Sequence, residues 1–385
     1  MTDVALSPPW TRLPAAQQPG WADHPSLPGV RDRLAEARPL VGLDTALRLA
    51  DELAAVAAGE ALVLQAGDCA ESFDELSPAH TEAKLDVLDA VADRMAELAG
   101  RPVVRIGRLG GQFAKPRSAP TEVVDGRVLP AFRGHAVNSA GPDPAERRPD
   151  PRRLLCAYTA SDLVLSRLTR RPHPLWASHE ALLLDYEAPL VRFENGRRYL
   201  SSAHLPWLGY RTSQPDHAHV ALLAGMANPV AVKIGPSTTP EQAVRLCAVL
   251  DPDRRPGRLT LIARLGRAQV RTRLAPVVTA VLAAGHPAVW LCDPSHGNTF
   301  SLDNGVKTRR LADMVAEART FHDLLTECGA RPGGLHLELA ADDVTECVGG
   351  GIEEADLRLR YRSLCDPRLN PGQALLLLDR LFHER

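Results

Sequence analysis

A chain of 385 residues with 45% hydrophobic side chains can bury a large core, as one elaborated barrel or as two smaller domains. Its formal net charge of −2, with arginine and acidic residues mixed throughout, leaves no electrostatic footprint for nucleic acid or an anionic membrane, so any bound anion must be held locally. Seven scattered cysteines without a CxxC pair argue against a secreted disulfide framework, and no apolar run approaches the roughly 20 residues of a membrane span, so the expectation is a soluble cytoplasmic protein.

Residues 1–45, rich in proline and carrying Trp10 and Trp21, predict an extended arm with a short helix at Val30–Ala37. Such arms usually pack on a neighbour or close a barrel's base. Over 46–385, short apolar runs alternate with longer amphipathic ones, as in βαβ units feeding a parallel sheet. The strand runs are Ala61–Gly67, Pro102–Gly107, Leu175–His179, Leu205–Tyr210, Pro229–Ile234, Leu259–Leu265, Ala288–Cys292 and Gly334–Leu339. Continuous stretches such as Val230-Ala231-Val232 suit strands buried on both faces. Between them, Leu85, Leu88, Val91, Met95 and Leu98 form one helical stripe; Thr239-Pro240 and Asn370-Pro371 read as helix starts. The fold class expected is α/β, a (β/α)8 TIM barrel with an N-terminal extension.

A barrel of this kind carries its active site at the C-terminal strand ends. There, in order, stand Cys69, Arg108, Glu180, Arg211, Lys233, Arg264, His296 and Glu338, each able to bind a metal, an anion or a proton. Cys69, His296 and Glu338, with Asp366 from the loop after the last strand, offer thiolate, imidazole and carboxylate donors. Such a set favours Mn²⁺, Fe²⁺, Co²⁺ or Zn²⁺ over Mg²⁺ or Ca²⁺. Each alone has a bland reading, a buried thiol, a loop histidine or a rim carboxylate, and only convergence on one mouth makes them a site. Arg108, Lys115, Arg117, Arg211, Lys233 and Arg264 imply a substrate with more than one anionic group. Lys233 is informative because lysine occurs only at 84, 115, 233 and 307, and this one interrupts an apolar strand.

The segments Leu64-Gln65-Ala66-Gly67-Asp68-Cys69-Ala70-Glu71, Gly111-Gln112-Phe113-Ala114-Lys115-Pro116-Arg117-Ser118, Ser178-His179-Glu180, Cys292-Asp293-Pro294-Ser295-His296-Gly297-Asn298, His336-Leu337-Glu338 and Cys365-Asp366-Pro367-Arg368-Leu369-Asn370 resemble motifs of the class II (plant-type) 3-deoxy-D-arabino-heptulosonate 7-phosphate (DAHP) synthases. The resemblance runs in order from Pro14 to the last helix. It implies condensation of phosphoenolpyruvate with D-erythrose 4-phosphate, in a homodimer or larger homo-oligomer. By it, Cys69, His296, Glu338 and Asp366 match metal ligands, with Mn²⁺ the expected ion. Arg108, Arg211, Lys233 and Arg264 match the phosphoenolpyruvate clamp; Lys115, Arg117 and Ser118 match the site for the aldehyde's phosphate. Glu180 matches an acid at the reacting centre, with Lys233 or a water on the ion as the proton donor.

The sequence departs from the family pattern at Tyr210, where a glutamate is usual, at Ser213, where the pattern has arginine, and at Ala66, where it has glycine. The stretch from Ser118 to Glu180 is also shorter than in long members, whose extra helices there form aromatic amino acid sites, so feedback inhibition is expected to be weak or absent. Tyr210 leaves open an acceptor that is an imino analogue of erythrose 4-phosphate, giving amino-DAHP. Other readings are an inactive barrel serving as a regulatory partner, which the intact ligand and clamp positions oppose, and a different metal-dependent aldolase or hydrolase, which would need a single anion site. Cys365 directly precedes Asp366, so a disulfide to Cys69 would remove a ligand.

Overall fold

The computed structural model describes residues 9–124 and 126–383. The first eight residues of the expected arm and the last two of the expected catalytic unit lie outside them. Two helices precede the barrel, α1 (Leu27–Glu36) and α2 (Leu43–Ala58). Eight parallel strands then close on themselves: β1 (Leu62–Gly67), β2 (Val103–Arg108), β3 (Trp176–Glu180), β4 (Leu205–Leu208), β5 (Val230–Ile234), β6 (Leu259–Ala263), β7 (Val289–Cys292) and β8 (Pro332–Glu338), with β1 pairing both β2 and β8. Each strand is followed by a helix: α3 (Pro78–Ala99), α4 (Arg153–Leu168), α5 (Leu184–Glu187), α6 (Ala218–Ala224), α7 (Pro240–Leu250), α8 (Val270–Ala283), α9 (Leu311–Glu327) and α10 (Pro371–His383). All eight expected strands are therefore present, shifted by a residue or two at their ends.

Local chemistry explains where the helices begin. The Thr239 hydroxyl accepts from Gln242 N, and the Gln242 side chain accepts from Thr239 N, a capping box with Pro240 at the first helical position. Asn370 and Gln373 make the same exchange at α10, at 2.8 and 3.3 Å.

Strand side chains alternate between the barrel interior and the helical ring. On the inward parity, apolar residues at the base give way to polar ones at the mouth: Val104, Ile106, Arg108 on β2; Trp176, Ser178, Glu180 on β3; Ala231 then Lys233 on β5; His336 then Glu338 on β8. Below, α2 plugs the barrel. Its Leu49 and Leu53, each 0% exposed, pack with Val63, Ile106, Leu205, Ala231, Ile262 and Leu291. The base is closed by α2, which runs across the expected boundary at 45/46 and lies mostly beyond the arm, while residues 10–21 lie along the barrel's own flank. There Trp10 joins the core around α6, and Gln17 Oε1 accepts from Arg117 N at 3.0 Å.

Three antiparallel hairpins, Thr121–Val124 with Arg127–Pro130, Val191–Glu194 with Arg197–Leu200, and Phe300–Ser301 with Lys307–Thr308, were not expected. They are short, mostly exposed and mixed in polarity, so no apolar run announces them. No helix among the described residues is long and apolar enough to cross a membrane.

Truncating the plug tests this architecture. Leu53→Ala is expected to lower unfolding free energy by about 3 kcal/mol in urea titrations; a loss below about 1 kcal/mol would mean that α2 does not fill the barrel base.

Candidate active site

The register of β1 with its neighbours sets Gly67 between Arg108 on one side and Glu338 on the other, at the mouth. Cys69 follows two residues later, Asp366 sits on the loop before α10, and His296 begins a 3-10 turn after β7. Donor atoms of Cys69, Glu338 and Asp366 all lie within 4.8 Å of one another. His296 joins them through Nε2, 3.1 Å from Glu338 Oε1. The four proposed ligands therefore meet in one place.

Residues that sequence reasoning missed hold them there. Asp293, fully buried, accepts from Ser295 N and His296 N with Oδ1, and its Oδ2 lies 2.7 Å from His296 Nδ1 and 2.9 Å from Lys233 Nζ. With its Nδ1 proton on Asp293, His296 turns a lone pair on Nε2 toward Glu338. Burial pushes the imidazole down, toward its neutral form. A neutral imidazole nitrogen and a carboxylate oxygen 3.1 Å apart call for a cation between them, so the donor set fits a divalent transition ion. Burial likewise pushes the Cys69 thiol well up, so a cation is what would make it a thiolate. Arg309, 0% exposed, grips Glu338 Oε2 at 2.6 Å. Burial alone would raise Glu338, but the charged groups around it, Lys115 and Arg309 among them, outweigh it and hold the carboxyl well below the usual range.

Lys115 stands closer to this cluster than expected. Its ammonium is 2.6 Å from Cys69 Sγ, 3.4 Å from Glu338 Oε1 and 3.1 Å from Asp366 Oδ2. Burial would lower it, yet those three groups keep it charged, well above the ordinary lysine range. Cys365 and Cys69, both free thiols, share a small cluster with Phe132.

Above the ligands opens a cavity of about 300 Å³, walled by every substrate-side residue singled out in the sequence, while Cys69 and Glu338 lie beneath. Lys233 reaches in from β5, and burial pushes it down to about 8 despite the opposing pull of Asp293. Arg264 donates to His296 O at 3.2 Å and lies over the Tyr210 ring at 5.4 Å. Arg211 bonds Ser118, tying the loop after β4 to the loop after β2. Glu180 Oε1 is buried without a hydrogen-bond partner, and burial raises its carboxyl. Gly209 makes this possible, since a Cβ there would sit 1.9 Å from that oxygen.

Three expected residues are more committed to the protein than sequence reasoning implied. Arg108 spends Nε and NH2 on Asp68 O, reaches Glu338 Oε1 at 3.1 Å, and bonds His336 through NH1. Arg117 pairs with Glu122. The Tyr210 hydroxyl is taken by Ser237, accepting from its N–H at 3.0 Å. Lys307, also missed, lines the mouth and lies 3.4 Å from Asp366 Oδ1. Asp293 was visible as the acid three residues before His296; Arg309, inside a basic run, gave no sign of its burial.

Comparison with known proteins identifies the family. The family model of the class-II DAHP synthetase family matches residues 6–173 and 169–380. A Pseudomonas fluorescens protein named probable phospho-2-dehydro-3-deoxyheptonate aldolase is 44% identical, over 94% of this chain and 93% of its own. A Streptomyces coelicolor phospho-2-dehydro-3-deoxyheptonate aldolase is 40% identical, over 95% and 94%. Among solved structures, a phospho-2-dehydro-3-deoxyheptonate aldolase from Francisella tularensis shares the fold, with a TM-score of 0.57 at 14% identity, over 92% of this chain and 95% of that one. With its barrel and the match spanning nearly its whole length, the chain belongs to the class-II DAHP synthetase family.

Proposed function

We propose that the barrel mouth joins phosphoenolpyruvate to D-erythrose 4-phosphate with water, giving DAHP and inorganic phosphate. The relatives' name, an aldolase of phospho-2-dehydro-3-deoxyheptonate, denotes the same product. The observation that carries the reading is the meeting of a thiol, an imidazole and two carboxylates beneath a cavity of about 300 Å³ ringed by guanidinium and ammonium groups.

In this reading Cys69, His296, Glu338 and Asp366 hold the metal, for which Mn²⁺ is our assignment, with Co²⁺, Fe²⁺ and Zn²⁺ compatible. When bound, such an ion supplies Lewis-acid polarisation of the aldehyde oxygen. Arg211, Lys233 and Arg264, with the one remaining donor of Arg108, hold phosphoenolpyruvate by its carboxylate and phosphate. Lys115, Arg117 and Ser118 receive the aldehyde's phosphate. Tyr210 acts by bracing Arg264 with its ring face.

C3 of phosphoenolpyruvate attacks the aldehyde carbon, and Lys233, close to neutrality in its proton affinity, passes a proton to the new alkoxide. Glu180, its Oε1 unpartnered at the cavity wall, orients the water that adds at C2 and takes the proton that water gives up. The resulting hemiketal phosphate collapses, and inorganic phosphate leaves into arginines already in place, at no reorganisation cost. We further place the protein in the cytoplasm, supported by its seven free thiols, and in a homo-oligomer that would cover the exposed Val123 and Val128 pair.

Three outcomes check this reading. Chelation is expected to abolish phosphoenolpyruvate consumption and Mn²⁺ to restore it, with a thiolate charge-transfer band in the Co²⁺ form that Cys69→Ser loses; full turnover after exhaustive chelation would refute the metal site. Lys233→Met is expected to lower kcat by about 10²–10⁴-fold, and undiminished kcat would remove Lys233 from proton transfer. Between Ser118 and Glu180 the described residues form one short hairpin and one helix, α4, so phenylalanine, tyrosine and tryptophan should leave initial rates unchanged; inhibition at micromolar concentration would contradict this.

A further inference from the structure

Glu317 lies on α9, outside the barrel wall, and is 1% exposed. Its Oε1 accepts from Leu265 N at 3.0 Å and Gly266 N at 2.8 Å, in the turn that directly follows Arg264. Its Oε2 accepts from Asn298 Nδ2 at 2.7 Å, in the turn that begins with His296. One carboxylate thus touches both the turn that supplies an anion-binding arginine and the turn that supplies a metal-ligand histidine.

The two turns meet without side chains between them. Gly266, at φ +80°, lies so close to Gly297 that a Cβ on either would fall within 2.5 Å of the other's backbone. Arg264 NH2 donates to His296 O at 3.2 Å, and Arg267 N donates to Asn298 Oδ1 at 2.9 Å. A displacement of one turn is therefore transmitted to the other.

We propose that Glu317 is a positioning residue: its carboxylate fastens the Arg264 turn to the His296 turn, holding the phosphoenolpyruvate clamp and the ion site at one fixed separation. The proposal rests on the roles given to those two residues above. None of the strongest influences on Glu317 is a cation; the titratable groups acting on it or sensing it are Asp293 and the Cys292 thiol at the end of β7. The buried residues of the flanking helices α8 and α10 are all uncharged. Burial is the largest influence and pushes the carboxyl up to about 7 against the pull of the Leu265 and Gly266 N–H groups. Above that pH the ionised group accepts all three bonds. Below it, the protonated oxygen is a poor acceptor for Asn298, and the link between turns weakens.

Glu317→Gln keeps the shape and one acceptor oxygen but faces the Asn298 amide with another amide. The test compares the Mn²⁺-loaded variant with wild type from about pH 6 to about pH 8.5, reading kcat/KM for phosphoenolpyruvate and Mn²⁺ affinity by paramagnetic titration. The wild-type to variant ratio of both quantities is expected to be roughly tenfold at the alkaline end and to collapse toward one at the acid end, where wild type loses the same bond. Asn298→Ala, which removes the donor from the other turn together with the pH-independent Arg267 N contact, should show a ratio that falls toward the acid end without reaching one, and serves if Glu317→Gln does not fold. Ratios independent of pH would mark the contact as packing alone and overturn the proposal. If wild type consumes no phosphoenolpyruvate while the affinity ratio still collapses, the reaction assignment fails and the positioning role stands.

Discussion

The Glu338 carboxylate is the constraint around which the rest is built. It is 0% exposed, and a buried charge is tolerated only when it is surrounded by compensating groups. Arg309 takes one oxygen at 2.6 Å; Arg108 and Lys115 converge on the other at 3.1 and 3.4 Å, where His296 Nε2 also stands at 3.1 Å. Removing any one of the three cations would leave charge unbalanced in a buried site. The need to neutralise this carboxylate thus draws β2, β8 and the loops after β2 and β7 into one arrangement, which is also the arrangement that gathers the four candidate metal ligands.

The barrel supplies that arrangement by a gradient along its inward-facing residues. At the base these are apolar and pack on α2; halfway up they are polar but internally satisfied, as where Gln65 links His336 to Ser178 at 2.7 and 3.0 Å. Only at the mouth do charges with spare bonding capacity appear. Arg108 marks the transition, since most of its donors are consumed by Asp68, Glu338 and His336. Arg211 and Lys307, further out, keep more of theirs for a ligand.

This gradient explains what was legible beforehand. Strands buried on both faces read as apolar runs, and a charge that breaks such a run needs a reason, so Lys233 stood out. The ordered motifs then named the family and the candidate ligands. What stayed hidden depends on tertiary contacts with no periodicity of their own. Arg309 sits in a basic stretch that looks solvated, yet it is 0% exposed. Glu317 looks like one more acid on an amphipathic helix, and only its packing against two turns sets it apart. The Tyr210 departure from the family pattern was visible, but not that its hydroxyl is taken up by Ser237 and its ring by Arg264.

Two kinds of residue therefore build the site: those that would touch ion and substrate, and those that keep the first group in register against a strong tendency of like charges to separate. The most direct measurement is anomalous diffraction at the manganese edge from crystals of the Mn²⁺-loaded protein. The account predicts a single peak within bonding distance, roughly 2.0–2.5 Å, of Cys69 Sγ, His296 Nε2 and one oxygen each of Glu338 and Asp366. A peak that any of these four cannot reach, or two peaks dividing them, would contradict it.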